Sequence, residues 1–443
     1  MHRSGSDLIL AATHRDDHTP MRILLTGDLH IGRTSSRVPE SVPRAGLRAA
    51  TAWGRIVDLA IAEQVTVVCL SGDIVDSANR FWEAIGPLER GIARLAEAGM
   101  RTVAVAGNHD FEVLARLADQ LSSESFTLLG RGGRWERLTV DGPGQSGLHL
   151  DGWSFPTSRV TEPPLGSYDL PHDSAVPTLG IVHGDLDVAA TTYAPLSLAR
   201  LQACRVDGWL LGHIHAPRLI TGPPWVLYPG SPQALDPGEP GSHGPWIVEV
   251  ADGRLREPEQ RHLSSVWYER ADIDLSGTED ETELDSRLLA GIRAEGARIA
   301  SLAGPHLVHT SLRLSLTGST SMSQHVAEAA EKLRDDLDLT EGTASVAVEK
   351  VDVQTTPAID LAEYARANSA PGAVARLLLQ LDTPDPSDEV MDLVREARHE
   401  VERVEQHKAY VGLEQRAVTE DMARGHVRAQ ARALLTALVS QTS

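Results

Sequence analysis

The first hundred residues alternate between short apolar runs and amphipathic stretches. Arg22–Thr26, Val65–Leu70 and Thr102–Ala106 are almost continuously apolar, whereas Arg44–Gln64 and Phe81–Ala98 repeat apolar positions at helical spacing. Strands that are apolar on both faces are typical of a sheet buried between other layers. Their alternation with helices favours a mostly parallel sheet. This part of the chain therefore predicts a sheet with helices packed against it.

Beyond residue 125 the apolar runs become shorter, and little helical periodicity remains between them. Six further strands are predicted, at Trp135–Val140, Gly147–Trp153, Thr178–Val182, Gly208–Leu211, Trp225–Tyr228 and Trp246–Val250. Together with the earlier segments they predict an α/β fold class. The expected architecture is a four-layer α/β/β/α sandwich over residues 21–255, in which two sheets are covered by outer helices.

The remainder of the chain changes character twice. Residues 266–355 alternate strand-like and helical segments and predict a small α+β domain. The stretch Asp382–Ser387 contains two prolines and interrupts the pattern. Residues 385–440 are charged and helical throughout, which predicts a helical tail. Residues 1–20 are polar and aperiodic, and we interpret them as a disordered extension before the first strand.

Charge and composition narrow the class of protein. The 443 residues carry 41 basic and 62 acidic side chains, a formal net charge of −21. Residues 21–250 contribute 25 acidic and 18 basic residues, whereas residues 251–443 contribute 34 and 21, so the acidity is concentrated in the C-terminal part. Such a balance is unfavourable for binding nucleic acid through bulk charge. It leaves open a local basic patch, bound metal ions or a basic partner.

The sequence argues against a membrane-spanning protein and against a site built from cysteines. No run approaches the 18 consecutive apolar residues of a transmembrane helix, and the apolar stretch Leu8–Ala12 is too short for a signal peptide. We therefore expect a cytoplasmic location without membrane attachment. Two cysteines, Cys69 and Cys204, can form neither a disulfide framework nor a cysteine-type zinc site.

Five short motifs carry the candidate chemistry, and each follows a predicted strand. They are Gly-Asp-Leu-His at 27–30, Gly-Asp-Ile-Val-Asp at 72–76, Gly-Asn-His-Asp at 107–110, His-Gly-Asp at 183–185 and Gly-His-Ile-His at 212–215. Each motif alone is more typical of a turn. Together they offer carboxylate, amide and imidazole groups at strand ends, which are ligands that suit manganese, iron(II) or zinc. The set therefore predicts a metal centre.

This ordered set resembles the calcineurin-like metallophosphoesterases, and the resemblance covers residues 21–250. It implies that Asp28, His30 and His215 hold one divalent ion. It further implies that Asn108, His183 and His213 hold a second ion and that Asp73 bridges the two. Such a pair of ions clamps a phosphoester and supplies a nucleophile at neutral pH. We expect manganese, although the same ligands accept iron, zinc, cobalt or nickel.

The resemblance also implies roles around the ions. His109 is expected to face the phosphoester as a catalytic residue rather than a ligand, and it needs an orienting partner. Asp76 is the favoured partner and Asp110 the alternative. Asp185 is interpreted equally well as an orienting residue behind the ligands or as a turn residue. Arg33 and Arg37 lie in the loop after His30, where DNA contact and a solvated loop are equally plausible.

Three further features resemble the SbcD-type DNA repair exonucleases, including their bacterial YhaO-like members. The first is the set of Gly-Asp-Leu-His-Ile-Gly, Ser-Gly-Asp-Ile-Val-Asp and, at 228–233, Tyr-Pro-Gly-Ser-Pro-Gln segments. The second is a small domain at 266–353, where such nucleases carry a capping domain, and the third is the long helical tail. The resemblance implies a manganese-dependent DNA nuclease that works with an SbcC-like coiled-coil ATPase bound by the helical tail. Homodimers of such nucleases form through helices of the catalytic domain, here Arg44–Gln64 and Phe81–Ala98.

Two alternatives remain open. The same metal centre suits a phosphatase or phosphodiesterase that acts on nucleotides or cyclic nucleotides. The second alternative is a non-enzymatic scaffold. The full set of metal ligands argues against it, because a scaffold would have no need of them. The apolar stripe of the tail, which includes Val390, Leu393, Val394, Ala397, Val401 and Val404, fits either an intramolecular core or a partner surface. Its position beyond the catalytic domain favours the partner surface.

Overall fold

The computed structural model describes residues 20–76, 81–142, 147–188, 190–405 and 418–440. The chain forms two compact units. The first consists of the described residues within Met1–Ala271, Arg293–Arg313 and Leu337–Lys350, and the second of those within Asp272–Ile292, Leu314–Asp336 and Val351–Ser443. The predicted extension at residues 1–20 lies outside the described residues, apart from residue 20.

The first 260 residues supply the strands and helices of a layered domain. Its strands are β1 Met21–Thr26, β2 Val67–Leu70, β3 Arg101–Ala104, β4 Phe126–Leu128, β5 Glu136–Asp141, β6 Gly147–Trp153, β7 Thr178–His183, β8 Gly208–Gly212, β9 Arg218–Ile220, β10 Trp225–Tyr228, β11 Trp246–Ala251, β12 Arg254–Leu255 and β13 Glu259–Gln260. Its helices are α1 Ala49–Ala62, α2 Phe81–Glu97, α3 Phe111–Gln120 and α4 Leu198–Ala203.

Two sheets form the centre of this domain. One has the order β12-β11-β1-β2-β3-β4, with β13 paired to β11, and the other has the order β5-β6-β7-β8-β10-β9. Strands β1 to β4 are parallel to one another, and so are β6, β7, β8 and β10. The carboxyl ends of parallel strands meet at one edge of a sheet, so residues that follow these strands are brought together.

Alternating side chains divide the core into layers. Ile23 and Leu25 of β1 pack between the two sheets, whereas Leu24 packs under the helices with Trp53 of α1 and Leu88 of α2. This division follows from the two-residue period of a strand. The outer face of the second sheet buries a third cluster that includes Trp135, Trp209 and Leu201 of α4. The predicted four-layer α/β/β/α sandwich is therefore confirmed.

The predicted α+β segment forms its own sheet in the order β14-β15-β18-β17. The strands are β14 Val266–Asp274, β15 His309–Thr317, β16 Ser319–Thr320, β17 Leu339–Glu341, β18 Ala344–Val353 and β19 Thr356–Pro357, with β16 paired to β19. Two helices are interspersed, α5 Glu281–Ala303 and α6 Val326–Asp336. The alternation of strands and helices predicted for residues 266–355 is therefore present.

The tail predicted at 385–440 is helical, but it is not one continuous helix, and two further helices that were not predicted precede it. The C-terminal helices are α7 Leu361–Ala365, α8 Ala370–Leu381, α9 Asp388–Glu405 and α10 Glu420–Ser440, and residues 406–417 lie outside the described residues. The proline-containing break at Asp382–Ser387 separates α8 from α9, as the missing amide hydrogens of proline require. None of the helices in the described part of the chain is long and apolar enough to cross a bilayer.

Part of the apolar stripe of the tail packs against the neighbouring C-terminal helices. Val390 and Val394 of α9 are buried together with Leu381, Ala423 and Val427, which belong to α8 and α10. Leu393 remains 39% exposed, and the side chain of Val404 lies outside the described set. The intramolecular alternative therefore accounts for Val390 and Val394, in the first part of the stripe. The partner surface stays a prediction for the exposed part.

Candidate metal centre

The predicted ligands lie at the carboxyl ends of strands from both sheets. Asp28 and Asp73 follow β1 and β2, which are parallel neighbours, and Asn108 follows β3. In the second sheet, His183 ends β7 and His213 follows β8. Because the two sheets face each other across one core, their loops converge at a common edge. The structure brings all seven predicted ligands into this place.

The first group consists of Asp28, His30 and His215, whose candidate ligand atoms lie within 4.8 Å of one another. The Nε2 atoms of His30 and His215 are 3.0 Å apart. The Nδ1 atom of His215 lies 2.7 Å from Oε1 of Glu239, so this nitrogen carries the proton and Nε2 presents a lone pair. Asp28 is fully buried, and its carboxylate accepts the amide hydrogen of His213.

The second group consists of Asp73, His183 and His213. Nδ1 of His183 donates to the carbonyl oxygen of Ser71 at 2.9 Å, which leaves Nε2 without a proton in the neutral ring. That Nε2 lies 3.2 Å from Oδ1 of Asn108 and 3.4 Å from Oδ2 of Asp73. The predicted second set of ligands therefore shares one buried place.

Asp73 reaches both groups. Its Oδ2 lies 3.4 Å from Nε2 of His183 and 3.9 Å from Nε2 of His30, while Oδ1 accepts the amide hydrogen of His109 at 3.0 Å. Burial opposes ionisation of this carboxyl, but His183, and then His30 and His109, hold its pKa below the usual range. A ligand that bridges two ions must be an ionised group that lies between the two groups of ligands, and Asp73 meets both conditions.

These contacts test whether the residues fit divalent ions. Nε2 of His30 lies beside Nε2 of His215, and Nε2 of His183 lies beside oxygens of Asp73 and Asn108. When these ring nitrogens carry no proton, buried acceptors face one another and a cation stabilises the arrangement. Burial alone would lower the pKa of His183, but Asp73 raises it to about 9. A proton or a metal ion can meet this need, and the nitrogen and oxygen ligand set suits divalent metals.

Backbone strain marks the same positions. Asp28, His30, Asp73 and His213 all have positive φ angles, between 45° and 105°. Such conformations cost about 1–3 kcal/mol each for residues other than glycine and cluster at functional sites. Gly72 has a φ of 94°, and a β-carbon there would lie 2.7 Å from the amide nitrogen of Gly107. The loops are therefore packed closely enough to hold the ligands in strained conformations.

His109 lies at the open side of the centre and is 41% exposed. Its Nδ1 lies 2.5 Å from the carbonyl oxygen of Asp76, and its Nε2 lies 3.9 Å from Oδ2 of Asp73. The contact with Asp76 thus comes from the main chain, whereas the prediction concerned the side chain. The Asp76 carboxylate instead lies 3.3 Å from Nδ1 of His30, and this contact, with burial opposing it, lowers its pKa.

Asp110 has a different role from the alternative considered above. Its buried carboxylate accepts amide hydrogens from Ile74 at 2.6 Å and Gly107 at 2.9 Å, and so joins the loops after β2 and β3. Burial, and then the charge of Asp73, raise its pKa to about 7. Asp185 lies 3.3 Å from Nε2 of His213 and accepts from Thr191, so it contacts a predicted ligand.

Of the two arginines, Arg33 is the closer to the centre. Its Nε lies 3.9 Å from the Asp76 carboxylate, and it lines a cavity of about 460 Å³ together with Thr34 and Arg48. Arg37 is exposed and has a φ of 54°. The proposed contact of both residues with DNA stays a prediction.

Glu239 was missed by the sequence analysis. It is 6% exposed and contacts His215, although it lies 24 residues further along the chain in a segment rich in glycine and proline. Burial opposes its ionisation, but the hydrogen bond and charge of His215 lower its pKa. No short motif connects the two residues. The only available signal was an acidic residue in a turn-forming segment that follows the last ligand.

Comparison with known proteins agrees with this geometry. Residues 21–217 match the profile of the calcineurin-like phosphoesterases, and residues 268–356 match the middle domain of the metallophosphoesterase YhaO. Residues 21–217 are thus similar to the calcineurin-like phosphoesterases, in agreement with the resemblance of the ligand motifs. The segment similar to the YhaO middle domain follows them.

A relative and two solved structures illustrate the similarity. The uncharacterized metallophosphoesterase YhaO of Bacillus subtilis (strain 168) is 27% identical over 274 residues, which cover 60% of this chain and 66% of that protein. A dimetal phosphatase from Danio rerio is 14% identical, with a TM-score of 0.36 over 54% of this chain and 95% of its own. A putative 5′-nucleotidase from Staphylococcus aureus is 14% identical, with a TM-score of 0.35 over 61% and 58%.

Proposed function

We propose that this protein is a DNA nuclease that hydrolyses phosphodiester bonds with two divalent ions, with manganese as the expected metal. The observation that carries the proposal is the convergence of seven ligand side chains into two groups that share Asp73. When bound, a pair of ions would supply charge to clamp the phosphate and a nucleophile at neutral pH. The preference for DNA rests on the SbcD-type segments and on the YhaO-type middle domain.

In this proposal each group of residues has a defined task. Asp28, His30 and His215 hold one ion, and Asn108, His183 and His213 hold the other. Asp73 keeps both in place. His109 donates a proton from Nε2 to the leaving oxygen while its Nδ1 hydrogen is held by the carbonyl of Asp76. The exposure of His109 leaves this nitrogen accessible to a substrate from the open side.

The first experiment compares substrates with a matched variant. The purified chain is incubated with manganese and linear double-stranded DNA, bis-p-nitrophenyl phosphate or cyclic nucleotides, alongside His109→Ala. Loss of a general acid lowers the rate by about 10²–10⁴-fold. We expect DNA degradation that is lost in the variant. Full activity of His109→Ala would contradict the role of His109.

A phosphatase or phosphodiesterase for small nucleotides is the second candidate. The net charge of −21 favours it, because a polyanion is repelled more strongly than a nucleotide. Hydrolysis of small diesters with DNA untouched, even after addition of an SbcC-like ATPase, would establish this candidate instead.

We also propose that the helical tail binds an SbcC-like coiled-coil ATPase in the cytoplasm. Leu393, Met422 and Leu434 of α9 and α10 are 39%, 49% and 52% exposed, and such residues are suited to a partner helix. Co-purification of the two chains would test this, with Leu393→Asp expected to weaken the complex. A complex of unchanged affinity would contradict the assignment of this face.

A homodimer through α1 and α2 is the remaining proposal on partners. Trp82 of α2 is 86% exposed, and tryptophan is enriched in protein interfaces. Sedimentation of the wild type and of Trp82→Ala would test it. A monomer at all concentrations would exclude this interface.

A further inference from the structure

Glu239 and the segment around it enclose His215 on the side away from the other ligands. The Glu239 carboxylate is buried, with Oε1 on Nδ1 of His215 and Oε2 accepting from Ser231 Oγ at 2.9 Å and from the Leu235 amide at 2.7 Å. Each carboxylate oxygen of Glu239 is thus held by its own hydrogen bonds. The imidazole of His215 has one nitrogen committed to this carboxylate and the other directed at His30.

The backbone of the same segment also holds His215. The amide of Ser231 donates to the carbonyl oxygen of His215 at 3.0 Å. Gly230, with a φ of 72°, passes so close that a β-carbon would lie 2.5 Å from that oxygen. Both the side chain and the main chain of His215 are therefore fixed by residues 230–239.

His183, which belongs to the second group of ligands, is held differently from His215. The ring of His183 is oriented by the carbonyl oxygen of Ser71, which is a neutral acceptor. His215 is oriented by a buried carboxylate at 2.7 Å. A carboxylate on the outer nitrogen fixes the tautomer and makes the inner nitrogen a stronger ligand. The difference predicts that one ion depends on Glu239 and the other does not.

We infer that Glu239 is a positioning residue for the ion held by Asp28, His30 and His215, and that its loss weakens this ion site selectively. The inference rests on the proposed ligand roles but not on DNA as the substrate. Residues of this kind typically change metal affinity by about 10–100-fold.

The experiment is a manganese titration of the metal-free full chain, followed by calorimetry and by the electron paramagnetic resonance signal of free Mn²⁺. Glu239→Gln keeps an oxygen that can accept from His215 but removes the charge, whereas Glu239→Ala removes both. Glu259→Gln is the matched control, since Glu259 is exposed and pairs with Arg261. Thermal unfolding of each metal-free variant shows whether it is folded.

We expect two bound ions in the wild type and in Glu259→Gln. Glu239→Ala should weaken one of the two by about 10–100-fold, and Glu239→Gln should weaken it less. Equal affinities in wild type and a folded Glu239→Ala would overturn the inference while leaving the ligand roles intact. Equal weakening of both ions would also overturn it. A wild type that binds no manganese would overturn the proposed function together with the inference.

Discussion

In the metal centre, buried nitrogen and oxygen atoms lie close to one another, whereas helices α8 to α10 bury clusters of leucine, valine and alanine side chains. His30 and His215 place two ring nitrogens 3.0 Å apart, but Leu378 and Leu435 pack against alanines. The first arrangement is unfavourable without a cation, and the second is favourable by itself. The difference separates a region built for chemistry from a region built for packing, and it can be tested in both places.

The largest expected effect is on catalysis. Asp73→Ala removes the carboxylate shared by both groups, and several kcal/mol of transition-state stabilisation correspond to about 10³-fold or more in rate. Turnover of bis-p-nitrophenyl phosphate and metal content should both fall, while the fold is retained. Asp119→Asn, an exposed acid paired with Arg131, is the control. Full manganese-dependent activity of Asp73→Ala would show that this carboxylate is not needed to hold the ions.

The helical region should respond in the opposite way. Leu435 is 1% exposed and its neighbour Leu434 is 52% exposed, so the two residues form a matched pair on α10. Leu435→Ala should lower the free energy of unfolding of this region by about 2–5 kcal/mol, and Leu434→Ala should change it little. Chemical denaturation followed by circular dichroism measures both. Equal effects of the two substitutions would mean that α10 packs differently.

A buried histidine of the α+β segment, unlike the ligand histidines, is expected to affect stability through its own protonation. His309 is fully buried with Nδ1 2.8 Å from Ser345 Oγ, and burial lowers its pKa to about 4. Since the unfolded chain takes up this proton near pH 6.5, stability should fall as the pH drops from about 6.5 towards 4. The loss amounts to roughly 3 kcal/mol.

His309→Gln should lack this part of the acid sensitivity. Denaturant unfolding at pH 7 and pH 4.5 measures it, and the exposed His399 provides the control substitution His399→Gln. An identical pH dependence in wild type and His309→Gln would show that His309 does not titrate in this way.

The smallest effect concerns the arginines. If DNA is the substrate, Arg33→Gln should reduce the slope of log affinity against log salt by about one, as expected for a phosphate contact. Arg37→Gln tests the second predicted contact, and Arg256→Gln, which removes a cation paired with Asp252, is the control. Filter binding of DNA at several salt concentrations measures the slope for each variant. Slopes that match the control would remove both arginines from the DNA-binding surface.

The sequence predicted the sandwich because its strands are apolar on both faces, and it predicted the convergence of ligands because each motif follows such a strand. Helix α3 was missed because its apolar positions, Val113, Leu114 and Leu117, occupy little more than one turn. The separation of the tail into α9 and α10 was missed because both helices are charged and similar in period. Glu239 was missed because only the path of a turn brings it to His215.

The order in which the chain is synthesised gives the metal centre a further property. Asp28, Asp73 and Asn108 emerge from the ribosome long before His213 and His215, and Glu239 emerges last. A nascent chain that ends near residue 210 would expose an incomplete set of ligands with weak affinity for any ion. We expect the affinity for divalent ions to rise only after His213 and His215 have joined the earlier ligands.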